Sequence, residues 1–186
     1  MVTKKKMVLA LPPYNQFGMK DFLEKNKISF LSLEEALIQV IDSAEKELRI
    51  SSPFMQIDTV PEIRKMLVKK AYYGVKILIL VRQSFIKDDK RKLNILKDFL
   101  NEFEKSNCRK NISIKDYHYS SKPYVQSSTH AKFVIADQKM IYLGSGELRH
   151  NSMHKNFEAG ILDGSNLASD MSKLFDKLFE ESKEIL

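Results

Sequence analysis

One cysteine, no tryptophan, five prolines and six glycines are spread over 186 residues. Cys108 alone cannot close an internal disulfide, so a disulfide scaffold is excluded and a reducing, cytoplasmic setting is expected. Nowhere does an apolar run approach the roughly 20 residues of a membrane span, so no membrane partner is expected. Lys4–Lys6 imitate a charged leader, but the apolar stretch Met7–Leu11 stops at Pro12-Pro13. That is short of the about 7–15 residues of an export-signal core, and no export signal is read. Internal repeats and low-complexity linkers are also missing. What remains is ordinary globular material, 43% hydrophobic and 30% charged. A chain of this length fits one domain. Residues 32–186 read as its core and 1–31 as an N-terminal extension or edge element.

The net charge of +7 is unevenly distributed, with nine Lys and Arg against three Asp and Glu between residues 105 and 155. Such a balance suits a polyanionic partner, although it also describes a lysine-rich solvated surface.

Four segments carry helical periodicity. Ser32 and Glu35 form a capping box ahead of Leu33, Leu37, Val40, Ile41 and Ala44. A second helix opens near Asp58 with Pro61 in its first turn, runs through Ile63, Met66, Leu67 and Ala71, and stops at Gly74. The third starts at Asp88 or Asp89 and aligns Leu93, Leu96, Leu100 and Phe103. The last follows Ser165 and carries Leu167, Met171, Leu174, Phe175, Leu178 and Phe179. Between them lie strand candidates Leu48–Met55, Val75–Val81, Ile112–Tyr117, Lys132–Ala136, Met140–Leu143 and Phe157–Leu162. The near-continuous apolar run 75–81 suits a strand covered on both faces. Alternation in the first half and closely spaced strands after 110 predict an α/β fold, a mixed β-sheet flanked by helices. Residues 1–31 offer an edge strand and a short helix near Lys20–Lys25.

The chemistry concentrates between Ser128 and Leu162, in STHAKFVIADQKMIYLGSGELRHNSMHKNFEAGIL. His130-x-Lys132 is followed, after four residues, by Asp137 and, after six more, by Gly144-Ser145. Residues two apart on a strand share a face, which presents a nucleophile beside a phosphate-holding cation. This pattern resembles the signature of the phospholipase D superfamily, the H-x-K-D phosphodiesterases. Asn156-Phe157-Glu158 is similar to the N-x-E that follows the Gly-Ser turn in many members. RISSPFMQ (49–56), a helix, and YYGVKILILV (72–81) resemble the family's strand, helix and Gly-Val strand. The resemblance spans roughly residues 32–182.

That resemblance implies a phospholipase D-like domain and a set of roles. His130 matches the nucleophile that forms a phosphohistidine. Glu158 matches the acceptor that orients its ring. Lys132 would offset charge in the pentacoordinate transition state, and Ser145 would add a hydrogen bond to phosphate. Asn156 and Arg149 are further candidates for substrate contact. Asp137 and Gly144 are structural members of the motif. One position departs from the family's G-S-x-N, because Glu147 stands where Asn grips phosphate. A carboxylate there repels phosphate unless protonated, paired or turned away, and Arg149 and Asn151 are near enough in sequence to pair with it or replace the amide.

The family uses two H-x-K motifs per site, one His attacking and the other protonating the leaving oxygen. Of the four histidines only His130 has Lys at +2. A homodimer with a composite site is therefore expected. The covalent route needs no cofactor and no metal. A zinc reading of His150, His154 and Glu158 at i, i+4, i+8 fails twice: no Glu follows His150, and 157–162 reads as a strand.

Substrate clues are softer. Tyr117, Tyr119 and Tyr124 interleave with Lys115, His118 and Lys122, a pattern that suits stacking on nucleic acid as well as a half-packed polar loop. The run Lys87–Lys92 reads as an exposed loop and helix start, and Cys108 has no assigned role. The leading expectation is a metal-independent nuclease acting on DNA or RNA. The alternatives are a catalytically retired nucleic-acid or phospho-ligand binding module, and a lipid phosphodiesterase of the phospholipase D type.

Overall fold

The structure, a computed structural model, describes residues 5–82, 90–122 and 125–185. Among these, the main sheet has nine strands. They are β1 (Lys6–Ala10), β2 (Leu31–Ser32), β3 (Glu47–Ser51), β4 (Lys76–Val81), β5 (Ile112–Asp116), β8 (Phe133–Ala136), β9 (Met140–Gly144), β10 (Glu158–Asp163) and β11 (Lys183–Glu184). A separate hairpin joins β6 (His118–Lys122) to β7 (Val125–Ser128). The helices are α1 (Met19–Lys25), α2 (Leu33–Ser43), α3 (Pro61–Tyr72), α4 (Lys90–Lys105), α5 (His150–His154) and α6 (Leu167–Glu180).

The sheet order is β11-β5-β4-β3-β8-β9-β10-β1-β2. β3, β4 and β5 run parallel, whereas β3-β8-β9-β10-β1 pair antiparallel. The mixed sheet expected from the sequence is therefore present. Strand alternation explains the apolar run of β4. Ile77, Ile79 and Val81 enter the main core beneath α2, α3 and α4, while Leu78 and Leu80 pack on the other face with Ala168 and Phe175 of α6.

Local chemistry sets the helix ends. The Ser32 hydroxyl accepts the Glu35 N–H at 3.2 Å, and the Glu35 carboxylate accepts the Ser32 N–H at 2.9 Å. Pro61 occupies the first turn of α3, and Gly74 follows that helix at φ +92°, a conformation that favours glycine. The expected start of the third helix at Asp88 or Asp89 lies outside the described residues. Leu174, placed on the apolar stripe of the last helix, is instead half exposed, and Phe175 fills the core.

The described part of the N-terminal segment, residues 5–31, contributes more than an edge. β1 lies one strand in from the sheet boundary, between β10 and the two-residue β2, and its Val8 and Ala10 join the main core. Among the described residues, no helix is long and apolar enough to cross a membrane.

Candidate active site

Antiparallel register gathers the motif. Phe133 of β8 faces Leu143 of β9, and Gly144 faces Gly160 of β10. Lys132 and Ser145 lie directly beyond these pairs and Glu158 lies two residues from Gly160, so the three meet at one end of three adjacent strands. The Gly144 N–H donates to the Lys132 carbonyl at 3.2 Å, and the Ser145 N–H to Ala159 at 3.0 Å. β3 ends beside them, since Ser51 pairs with Phe133 and the chain then runs through Ser52 to Phe54. Gly144 is required here: a Cβ would press on the Ala159 carbonyl and the Tyr142 hydroxyl, so any side chain would wedge β9 from β10.

His130 and Lys132 precede β8, which starts at Phe133, so they occupy its approach and not the paired strand itself. They nonetheless reach each other. The Lys132 ammonium donates to the His130 carbonyl at 2.9 Å and lies 3.4 Å from Nδ1 and 3.2 Å from Nε2 of the ring. His130 is exposed, whereas Lys132 is buried. A phosphorus atom can thus approach the ring from solvent while its oxygens meet a cation held in place.

Both Glu158 oxygens are engaged. The Ser145 hydroxyl donates to one at 2.6 Å, and the Asn156 amide to the other at 3.0 Å. Ser145 Oγ in turn accepts the Ala159 N–H at 3.1 Å. No hydrogen bond joins Glu158 to His130 among the described residues. In this arrangement Glu158 fixes the Gly-Ser turn and Asn156.

Glu147 is not turned to solvent. It is 3% exposed, its Oε1 lies 3.5 Å from the Lys132 ammonium, and its Oε2 accepts the Phe54 N–H at 2.7 Å. The pairing falls to Lys132 and not to Arg149 or Asn151. Arg149 lines the same pocket and donates from Nε to the Ser152 hydroxyl at 3.3 Å.

Asp137 stands apart from this pocket and accepts N–H groups of Glu45, Lys46 and Glu47 at 2.8 to 2.9 Å. Burial acts to raise its carboxyl, but those three donors and nearby Lys139 outweigh it and hold the group below its ordinary value. It thereby anchors the start of β3 to the β8–β9 turn.

Three neighbours carry no local sequence signal. Phe54 sets its ring edge-on to His130 at 6.1 Å, with the Arg82 guanidinium over its face at 4.7 Å. Tyr142 accepts the Gly146 N–H at 3.1 Å beneath the Gly-Ser turn. Burial, with the Glu158 charge adding, pushes its phenol up to about 12 against the effect of that N–H. Phe54 is also shared by a second groove, lined by Arg91 and Lys92, so part of the Lys87–Lys92 run approaches the site. Tyr124 lies outside the described residues, as do the side chains of His118, Tyr119 and Lys122. Tyr117 is half-buried against the α6 face of the sheet.

Together Phe54, His130, Lys132, Gly144, Ser145, Glu147, Arg149 and Glu158 line an open pocket of about 470 Å³. Glu158 lies on β10, off the helix that carries His150 and His154, whose rings face each other at 4.7 Å. The residues of the zinc pattern are thus not one helical face.

An exposed histidine, a buried lysine and a Gly-Ser turn converge on this open pocket, in a fold of the phosphodiesterase class. The family described as cardiolipin synthase, PLD-like domain, matches residues 37–181, and the chain belongs to the phospholipase D superfamily. No protein of curated function matches the sequence significantly. The fold is similar to that of the phospholipase D family member Nuc from Salmonella typhimurium, at 17% identity and a TM-score of 0.64, covering 97% of this chain and 98% of the other. NucT from Helicobacter pylori is similar at 18% identity and 0.65, covering 97% and 99%. Phosphatidylserine synthase of Haemophilus influenzae aligns at 15% identity and 0.66, over 97% of this chain but 39% of the synthase. TrmBL2, an archaeal chromatin protein with a novel mode of DNA binding, aligns at 13% and 0.51, over 96% and 54%.

Proposed function

We propose that the protein is a phosphodiesterase that cleaves DNA or RNA through His130, without a metal, in a composite site shared by two copies of the chain. The observation that carries this reading is the exposed His130 ring beside the buried Lys132 ammonium. A neutral imidazole nitrogen attacks phosphorus and expels one ester oxygen, forming a phosphohistidine. His130 of the partner subunit gives that oxygen its proton, then takes a proton from the water that releases the phosphohistidine. Lys132 holds non-bridging oxygens throughout. One H-x-K per chain makes the second copy necessary, and the exposure of His130 leaves room for it.

Nucleic acid is favoured by the positive stretch 105–155 and by the groove of Arg91 and Lys92 that meets the pocket at Phe54. Near-complete overlap with two chains of similar length is consistent with a single-domain member, whereas the lipid synthase is more than twice as long as the aligned region. TrmBL2 adds a DNA-binding protein among the fold's relatives. A retired binding module is the second reading, favoured by the Glu147 carboxylate on Lys132.

Wild type and His130→Ala, incubated with single- and double-stranded DNA and RNA in excess EDTA, separate these readings. Cleavage by wild type alone is expected. Salt-sensitive binding by both without cleavage would move the assignment to the binding module, and cleavage by both would remove His130 from the chemistry.

A further inference from the structure

Glu147 places a full negative charge where the family pattern carries a neutral amide, and the structure makes that charge part of the phosphate pocket. Its carboxylate is buried, lies 3.5 Å from the Lys132 ammonium and is fixed by the Phe54 N–H. It cannot swing into solvent without giving up that hydrogen bond. The pocket sets two basic side chains, Lys132 and Arg149, against two acidic ones, Glu147 and Glu158.

We propose that Glu147 is a specificity residue that admits the single negative charge of a phosphodiester and repels the double charge of a phosphate monoester. This rests on the phosphodiesterase reading and extends it to substrate charge. A monoester becomes dianionic near pH 6, whereas a diester stays monoanionic. Like charges a few ångströms apart in a partly desolvated pocket repel strongly enough to change affinity on the order of tenfold. Cleavage of a diester leaves a terminal monoester, so the same carboxylate expels the product and keeps terminal phosphates from occupying the site. The Glu147 charge and the Lys132 charge have separate tasks: Lys132 draws a non-bridging oxygen in, and Glu147 limits how much negative charge may accompany it.

The test uses the full chain with His130→Ala, which prevents turnover and removes the titration of that ring. Affinities for phenyl phosphate and methyl phenyl phosphate are measured by calorimetry at pH 5 and pH 8. The charged groups around Glu147 are Lys132 before β8, Arg149 on its own connection, Glu158 on β10, and Arg82 together with Lys92 of α4 over the Phe54 ring. These groups act more strongly on a dianion than on a monoanion, so Glu147→Gln on the same background is what isolates the contribution of Glu147.

The affinity of the monoester relative to the diester is expected to fall about tenfold from pH 5 to pH 8. Adding Glu147→Gln, whose amide oxygen still accepts the Phe54 N–H, is expected to abolish or reverse that fall. If the double variant does not fold, the pH comparison on the single variant decides alone. A monoester that gains relative affinity as it becomes dianionic would overturn the charge filter while leaving the phosphodiesterase reading intact. Failure of the diester to bind at either pH would overturn both.

Discussion

Lys132 and Glu147 are the residues where the proposed chemistry and the stability of the fold meet. Their side chains are 10% and 2% exposed, so each is the principal counter-charge of the other. Removing only one leaves an uncompensated buried charge, whereas removing both leaves an apolar contact. Lys132→Met is expected to lower unfolding free energy by about 3 kcal/mol, and Lys132→Met with Glu147→Met to recover most of that loss while remaining inactive. Urea denaturation of the three proteins checks this; equal destabilisation by the single and double variants would show that the pair is not coupled. The sequence could nominate both residues, because H-x-K and the Gly-Ser turn are local patterns. It pointed Glu147 toward Arg149 and Asn151 by proximity along the chain. The antiparallel register of β8 and β9 instead brings Lys132, fifteen positions earlier, to the carboxylate. Phe54 was illegible for the same reason: it reaches His130 from the far end of β3, and nothing in its own neighbourhood marks it.

At the level of elements, the strands that build the site are held in register by contacts outside it. Asp137, in the β8–β9 turn, accepts three successive N–H groups at the start of β3. Its carboxyl is held below the ordinary value of 3.8. The stability this provides is complete above that value and is lost as pH falls through the lower folded-state value. Asp137→Asn is therefore expected to cost about 1–3 kcal/mol at pH 7, with the gap to wild type narrowing below about pH 4. Denaturation curves at pH 7 and pH 3 measure it; a gap that widens in acid would contradict the ionised anchor. Most elements were legible, because capping boxes, Pro61, Gly74 and the apolar run of β4 act through local chemistry. β1 was placed too far out. Its short apolar stretch says how deeply it is buried but not that the two residues of β2 would cover its outer edge.

For the whole molecule, one H-x-K per chain ties activity to assembly in the proposed mechanism. A composite site needs two intact copies of His130. At constant total protein, mixing wild type with His130→Ala under conditions of subunit exchange should thus lower activity as the square of the wild-type fraction. A linear dependence would mean that one chain suffices. The neighbours Nuc and NucT share this fold over nearly their full lengths at 17% and 18% identity. The same architecture thus accompanies sequences that differ at most positions, which is why the fold was readable and the choice of polyanion was not.

In the proposed mechanism His130 forms a covalent bond to phosphorus, and that bond can be trapped. Wild type would be mixed with a ³²P-labelled nucleic acid that it cleaves, quenched in alkali within the first turnovers, and resolved under denaturing conditions. Label retained on the protein in alkali, released by acid and absent from His130→Ala is the predicted result. Rapid cleavage with no label on the chain at any time point would contradict the account.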